Sequence, residues 1–252
     1  MTEEVLYQRL EAGYGEICLN RPAKRHAISA EMTALFKKKL DQARQDQLKF
    51  LVITASGDDL FCAGGDLHYL HGELTAEEAL CRLSPMKELL YEIAAFPVPT
   101  ICLLNGNAFG GGCEIATACD IRIAREKGRF GFIQSTIGII PGWGGGALLY
   151  EKVAPDFAFQ WLMEGNVFSA PVLKERGWIH HLAAEEVWAN RESLLEPYTS
   201  KSHKQMKILK AQYKNKLSIS RLSSLMNEEV ESCASLWDSP EHKEAVRKFI
   251  LG

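Results

Sequence analysis

Residues 100–120 constrain this chain more than any other stretch. Thr100-Ile101-Cys102-Leu103-Leu104 has the character of a buried strand. It runs into Asn105-Gly106-Asn107-Ala108-Phe109-Gly110-Gly111-Gly112, and a small-residue helix opens at Cys113-Glu114. Three glycines let the backbone turn tightly and approach a ligand closely. The first amides of a helix are unpaired donors at the positive end of its dipole, so they suit an oxygen that gains negative charge. Glu114 falls in that first turn. A preorganised N–H beside a carboxylate points to enolate chemistry on a thioester. The plain reading, a glycine turn closing a βα unit, stays open on this segment alone.

A second corner has the same shape. Leu51-Val52-Ile53-Thr54-Ala55 reads as a buried strand and leads to Phe61-Cys62-Ala63-Gly64-Gly65-Asp66. Two amides from two βα corners make an oxyanion hole. With these motifs the chain resembles the crotonase (enoyl-CoA hydratase/isomerase) family. Further matches are Leu19-Asn20-Arg21-Pro22, Gly138-Ile139-Ile140-Pro141-Gly142-Trp143-Gly144-Gly145, and Glu244-Ala245 with Phe249. The likeness runs over essentially the whole chain. It is specific for the family and not for one reaction.

Organisation along the chain agrees. Strand-like runs at 17–20, 50–54, 100–104 and 121–124 alternate with helical patterns, which predicts an α/β fold with a mostly parallel sheet. Ser29 is placed to cap a helix bearing Met32, Leu35, Phe36 and Leu40, with Lys37, Lys38 and Lys39 on a solvated face. Thr75 and Glu78 read as a capping box, and Pro85 is expected to divide the helical stretch that follows. Ser169 with Pro171 reads as a capped helix ending at Gly177. From about Glu185 the pattern is helical only. The resemblance implies a spiral of repeated ββα units over residues 1–184, carrying the acyl-CoA site. It also implies a C-terminal helical region, 185–252, that covers the site and builds a homotrimer or a dimer of trimers.

The resemblance places the oxyanion hole on the amides of Gly65 and Gly111, and makes Glu114 the first catalytic glutamate. Hydratases of the family carry a second glutamate twenty residues on; here that position is Gln134. Glutamine can orient a water or a carboxylate but cannot carry a transferable proton at neutral pH. The 138–145 phrase resembles that of the ethylmalonyl-CoA and methylmalonyl-CoA decarboxylases of the family, which also lack the second glutamate. Decarboxylation needs a stabilised enolate and one proton donor. It is favoured here over hydration or isomerisation with Glu114 as the main acid/base, and over a CoA-binding subunit whose catalysis has decayed.

The same likeness puts CoA on Lys24, Arg25 and Ala27, with Ala63 and Asp66 at the adenine-side corner and Phe249 among the substrate-binding residues; Trp143 is placed to wall the pocket. A solvated basic turn and plain core packing are the ordinary readings of Lys24-Arg25 and Trp143. His26 stands where the family often has asparagine. His68, Tyr69 and His71 fall in a segment that walls the pocket in relatives. His180-His181 reads as a strand edge or surface turn.

Composition removes other classes. With 46% hydrophobic residues among 252 and a net charge of −3, the chain can bury a large core and has no basic bias for nucleic acid. No apolar run reaches membrane-spanning length, and the first residues lack a secretory pattern. The seven cysteines contain no CxxC pair, so buried free thiols in a cytoplasmic protein are expected, with no metal and no cofactor beyond the CoA of the substrate.

Overall fold

A computed structural model of the chain describes residues 3–66 and 74–251. His68, Tyr69 and His71 lie outside the described residues. Two sheets run side by side, and the chain steps repeatedly from one to the other. The larger contains β1 (Val5–Arg9), β2 (Gly15–Leu19), β3 (Leu51–Ala55), β5 (Thr100–Leu104), β7 (Ile121–Arg125) and β10 (His181–Ala183), in that order. All neighbours are parallel except β1 with β2, where Val5 faces Leu19. The smaller is β4 (Leu60–Cys62), β6 (Asn107–Phe109), β8 (Arg129–Gly131) and β9 (Phe168–Ser169). The first turn is β1, β2 and the helix α1 (Ala30–Gln45); the next two are each a long strand, a short strand and a helix, ending in α2 (Ala76–Ala94) and α3 (Gly111–Ala118).

The long strands read as continuous apolar runs because both faces of the larger sheet are covered. Leu51, Ile53, Cys102 and Leu104 point into the main core with α1 and α2, which contributes Leu89, Leu90 and Ile93. The alternate residues Val52, Ile101 and Leu103 pack on the far face with Trp188, Leu195 and Met206. These come from α7 (Glu185–Ala189), α8 (Arg191–Thr199) and α9 (His203–Lys216). No strand follows β10 among the described residues, as expected from Glu185 onward.

Local signals were mostly obeyed. The Ser29 hydroxyl accepts the Met32 amide at 3.2 Å, and Met32, Phe36 and Leu40 are buried at helical spacing. The Thr75–Glu78 capping box forms. Three expectations fail. Lys39 is not on a solvated face: only 13% exposed, it pairs with Glu3 at 2.7 Å. Ser169 makes no side-chain cap and instead ends the β8–β9 ladder opposite Arg129; the helix behind it, α6 (Ala170–Glu175), keeps Pro171 in its first turn. Pro85 does not divide α2, which runs unbroken through it. An interior proline costs about 3 kcal/mol. Leu83, Met86, Leu89, Leu90 and Ile93 on the same helix are buried, and each contributes about 1.5–3 kcal/mol, so packing outweighs the break.

Downstream of β8 come the 3-10 turn Gln134–Ile137, then α4 (Gly145–Lys152) and α5 (Pro155–Glu164). After α9 the chain returns to this side. Helix α10 (Ile219–Ser235) packs on α2 and α4, and α11 (Pro240–Leu251) packs on the 3-10 turn. No described helix is long and apolar enough to cross a membrane. All seven cysteines are free thiols, five of them buried.

Candidate active site

The two glycine corners meet. Gly112 could carry no side chain, since a Cβ there would stand 2.4 Å from the carbonyl oxygen of Cys62. That contact brings the start of α3 against the end of β4. The amides of Gly65 and Gly111 find no acceptor among the described residues and open on one cavity of about 430 Å³. The cavity is also lined by Lys24, Arg25, Ala27, Ala63, Asp66, Glu114, Gln134 and Trp143. Ten residues singled out in the sequence thus converge on one space. Phe249 lies on α11, with its side chain outside what the structure describes. His180 and His181 sit at the β10 edge, far along the sheet order from β2 and β3.

The 22–28 segment is stitched to the second corner. The Ile28 amide donates to Gly64 O and the Ala63 amide to Arg25 O. Arg25 and His26 both have left-handed φ values, 56° and 53°, a conformation costly for residues with a Cβ. His26 holds it in place. Its Nδ1 accepts the Arg21 amide at 3.1 Å, which leaves Nε2 to donate to Ser56 O at 3.0 Å. The residue that departs from the family is therefore a buried brace, and burial lowers its pKa. Arg21, a motif residue given no role from sequence, pairs with Asp66 at 2.7 Å and donates to Ala27 O at 2.9 Å. Asp66 is thereby committed to Arg21.

Glu114 is 2% exposed on the first turn of α3. Its Oε2 accepts the amides of Trp143 and Gly145, both at 2.9 Å. Its Oε1 accepts Gln134 Nε2 at 2.9 Å. Burial pushes its pKa up to about 7, against the lowering effect of these donors. Both protonation states are therefore populated near neutrality. Gln134 is 7% exposed, and its Oε1 is buried with no hydrogen-bond partner among the described residues.

Sequence reasoning missed a second carboxylate nearby. Glu229, half-buried on α10, accepts the amides of Gly146 and Ala147. Burial and then the charge of Glu114 raise its pKa. Nothing in the sequence marks it out from Glu228 and Glu231; only the packing of α10 on the start of α4 does. Cys233, Trp237 and Val246, which close the cavity from α10 to α11, were missed for the same reason.

Comparisons with known proteins give the family. The family described as Enoyl-CoA hydratase/isomerase matches residues 9–250. The mitochondrial enoyl-CoA hydratase domain-containing protein 2 of Bos taurus is 34% identical over 179 residues, 71% of this chain and 60% of its own length. An ethylmalonyl-CoA decarboxylase of Xenopus tropicalis is 27% identical over 61% of this chain and 52% of its own. The matches to these two thus span little more than half of each relative. The crystal structure of an enoyl-CoA hydratase from Bacillus halodurans superposes with a TM-score of 0.86, covering 98% of this chain and 100% of that one at 21% identity; that likeness shows the fold. The chain belongs to the enoyl-CoA hydratase/isomerase family.

Proposed function

We propose that this protein is an acyl-CoA lyase that forms a thioester enolate and decarboxylates a small malonyl-type CoA. The observation that carries the reading is the carboxylate inventory of the cavity. Among its described lining residues only Glu114 and Asp66 are acids, and Asp66 is held by Arg21. One working carboxylate suits a reaction that needs one proton donor. The thioester oxygen takes the Gly65 and Gly111 amides. The C–C bond to the carboxylate breaks, CO₂ leaves, and the electron pair becomes the enolate held by those amides. Glu114, protonated through its raised pKa, then donates to the α-carbon and is reprotonated from solvent. Gln134 orients the departing carboxylate, Trp143 walls the acyl group, and Lys24 and Arg25 take the CoA phosphates. No cofactor beyond the substrate's CoA is needed.

A second reading is hydration of an enoyl-CoA. It is favoured by the pKa of Glu114, pushed up to about 7 by burial, which lets one carboxyl serve as acid and base in turn. Steady-state assays with methylmalonyl-, ethylmalonyl- and crotonyl-CoA separate the two. Release of CO₂ from a malonyl-type substrate, with slow crotonyl-CoA hydration, is the expected result. Fast hydration without CO₂ release selects the second reading. Binding of CoA esters with no turnover of any would point to a non-catalytic subunit.

A further inference from the structure

We propose that Glu229 is a positioning residue for Glu114: its carboxyl binds the first amides of α4 and so holds the turn before them in the orientation that aims the Trp143 and Gly145 N–H groups at Glu114. The inference rests on the acyl-CoA reading above, in which Glu114 handles the proton. It adds a residue that does not line the cavity.

The amides of one turn are divided between two carboxyls. Trp143 and Gly145 donate to Glu114 Oε2, both at 2.9 Å. Gly146 donates to Glu229 Oε1 at 3.2 Å, and Ala147 to Glu229 Oε2 at 2.6 Å. Gly145, Gly146 and Ala147 open α4, and the opening amides of a helix have no acceptor within it. Three glycines admit three neighbours. A Cβ on Gly145 would stand 2.3 Å from Glu114 Cγ, and one on Gly146 2.6 Å from Glu229 Oε2. Gly144 has a left-handed φ of 84°, and a Cβ there would stand 2.4 Å from Met226 Cε on α10. Neighbouring residues thus donate to different carboxyls, so the turn cannot rotate away from one without disturbing its bond to the other.

Glu229 is not what docks α10. That helix is tied to α2 where Asn227 Oδ1 accepts Lys87 Nζ at 2.6 Å, and it seats Met226 against Gly144. Beyond Glu229 the Cys233 thiol donates to Ile140 O at 3.1 Å. Anchors therefore flank Glu229 on both sides. For packing alone a second carboxyl near Glu114 is a poor choice, because each charge disfavours the other, and the charge of Glu114 raises the pKa of Glu229. What Glu229 supplies is an acceptor for the Gly146 and Ala147 amides. Without it these donors are left to compete for Glu114, the other carboxyl at this helix start. A displacement of about 1 Å from the reacting position can cost on the order of 10²-fold in rate.

Gly146→Ala tests this without altering either carboxyl. The added methyl takes the space of Glu229 Oε2 and turns that side chain out, while alanine suits a helix better than glycine does. Rates are measured per folded site on whichever of methylmalonyl-, ethylmalonyl- and crotonyl-CoA the wild type turns over. In Gly146→Ala kcat should fall about 10–100-fold, with KM changed by less than about threefold. Glu229→Ala should match it. The double variant should be no slower than either single one, because one contact can be broken only once. Glu229→Gln, which keeps an oxygen for the two amides, should recover most of the loss. A merely structural role would lower the folded fraction and leave kcat per site at the wild-type value. A crystal structure of Gly146→Ala should place the Trp143 or Gly145 nitrogen beyond about 3.5 Å from Glu114 Oε2. Wild-type kcat in folded Gly146→Ala, losses that multiply in the double variant, or both nitrogens still within about 3.2 Å would each overturn the proposal. The substrate consumed decides between the two reactions above and leaves the comparison of variants standing. If no ester is turned over, the acyl-CoA lyase reading fails, and the crystal structure alone decides the role of Glu229.

Discussion

The indole of Trp143 occupies the space where a side chain on Gly111 would be. A Cβ built there would lie 2.0 Å from Cζ3 and 2.4 Å from Cη2 of the ring. The start of α3 and the 143–145 turn therefore interlock through a missing methyl group. The same turn supplies two amides to Glu114, so one contact fixes the oxyanion donor and the carboxylate together.

Gly111→Ala should displace Trp143 and shift both features. Losing one oxyanion donor costs on the order of 10²–10³-fold in kcat. Turnover should fall at least that far while circular dichroism stays native. A variant with wild-type kcat would remove Gly111 from the site.

Lys210 on α9 is buried against Asp120, with Nζ 2.7 and 2.6 Å from the two carboxylate oxygens. Asp120 also accepts the Thr100 amide at 2.9 Å. This pair ties the helical region to the sheet. Removing one partner leaves an uncompensated buried charge, so Lys210→Met should destabilise by about 3–5 kcal/mol. Adding Asp120→Asn should recover part of the loss. Urea unfolding of the single and double variants reads the coupling.

Much of this fold was legible because its strongest signals are local or periodic. The strand Thr100–Leu104 was read with its observed bounds, and Ser29 and Thr75 act through neighbours three residues away. Strands of two or three residues, such as β4, β6 and β9, carry too little pattern to be seen; they exist because the corners stack. Pro85 misled because burial of one helix face against α10 is a long-range fact. The site shows the same split. Residues on glycine corners were found, whereas Glu229 and Arg21 act through partners 83 and 45 residues away, respectively.

Exposed apolar side chains are expected to be covered by further copies of the chain. Phe159 and Met163 on α5 are 58% and 59% exposed, one helical turn apart, and Ile208 and Leu209 on α9 are 50% and 56% exposed. Light scattering at micromolar concentration should give three or six times the chain mass. A monomer would overturn that expectation.

Glu114 should also tune stability with pH. Its folded pKa, about 7, exceeds the unfolded value of roughly 4.3. Between these values the folded state binds more protons, so stability falls as pH rises through the window, by on the order of 3 kcal/mol in all. Glu114→Gln abolishes the titration. Its melting temperature relative to wild type should therefore climb from pH 4 to pH 8. A difference that is flat with pH would show that Glu114 has an ordinary pKa.

Gln134→Glu tests which reaction the site is built for. The new carboxylate would face Glu114 Oε1 where Gln134 Nε2 now donates at 2.9 Å. Two unit charges about 4 Å apart repel by roughly 4 kcal/mol at an effective dielectric of 20, so one of the pair must hold a proton. A shared proton between two carboxyls is the equipment that hydration needs, since one can deliver to carbon while the other takes from water. Crotonyl-CoA hydration should therefore rise. Decarboxylation should fall, because a carboxylate near the departing one disfavours its binding. A penalty of about 1.4 kcal/mol already means tenfold, so a loss of at least 10-fold in kcat/KM for methylmalonyl-CoA is expected. Unchanged rates for both substrates would show that position 134 does not select the reaction. In that case the proton traffic would run through Glu114 alone, and the pH profile of kcat would follow its pKa near 7 in both proteins.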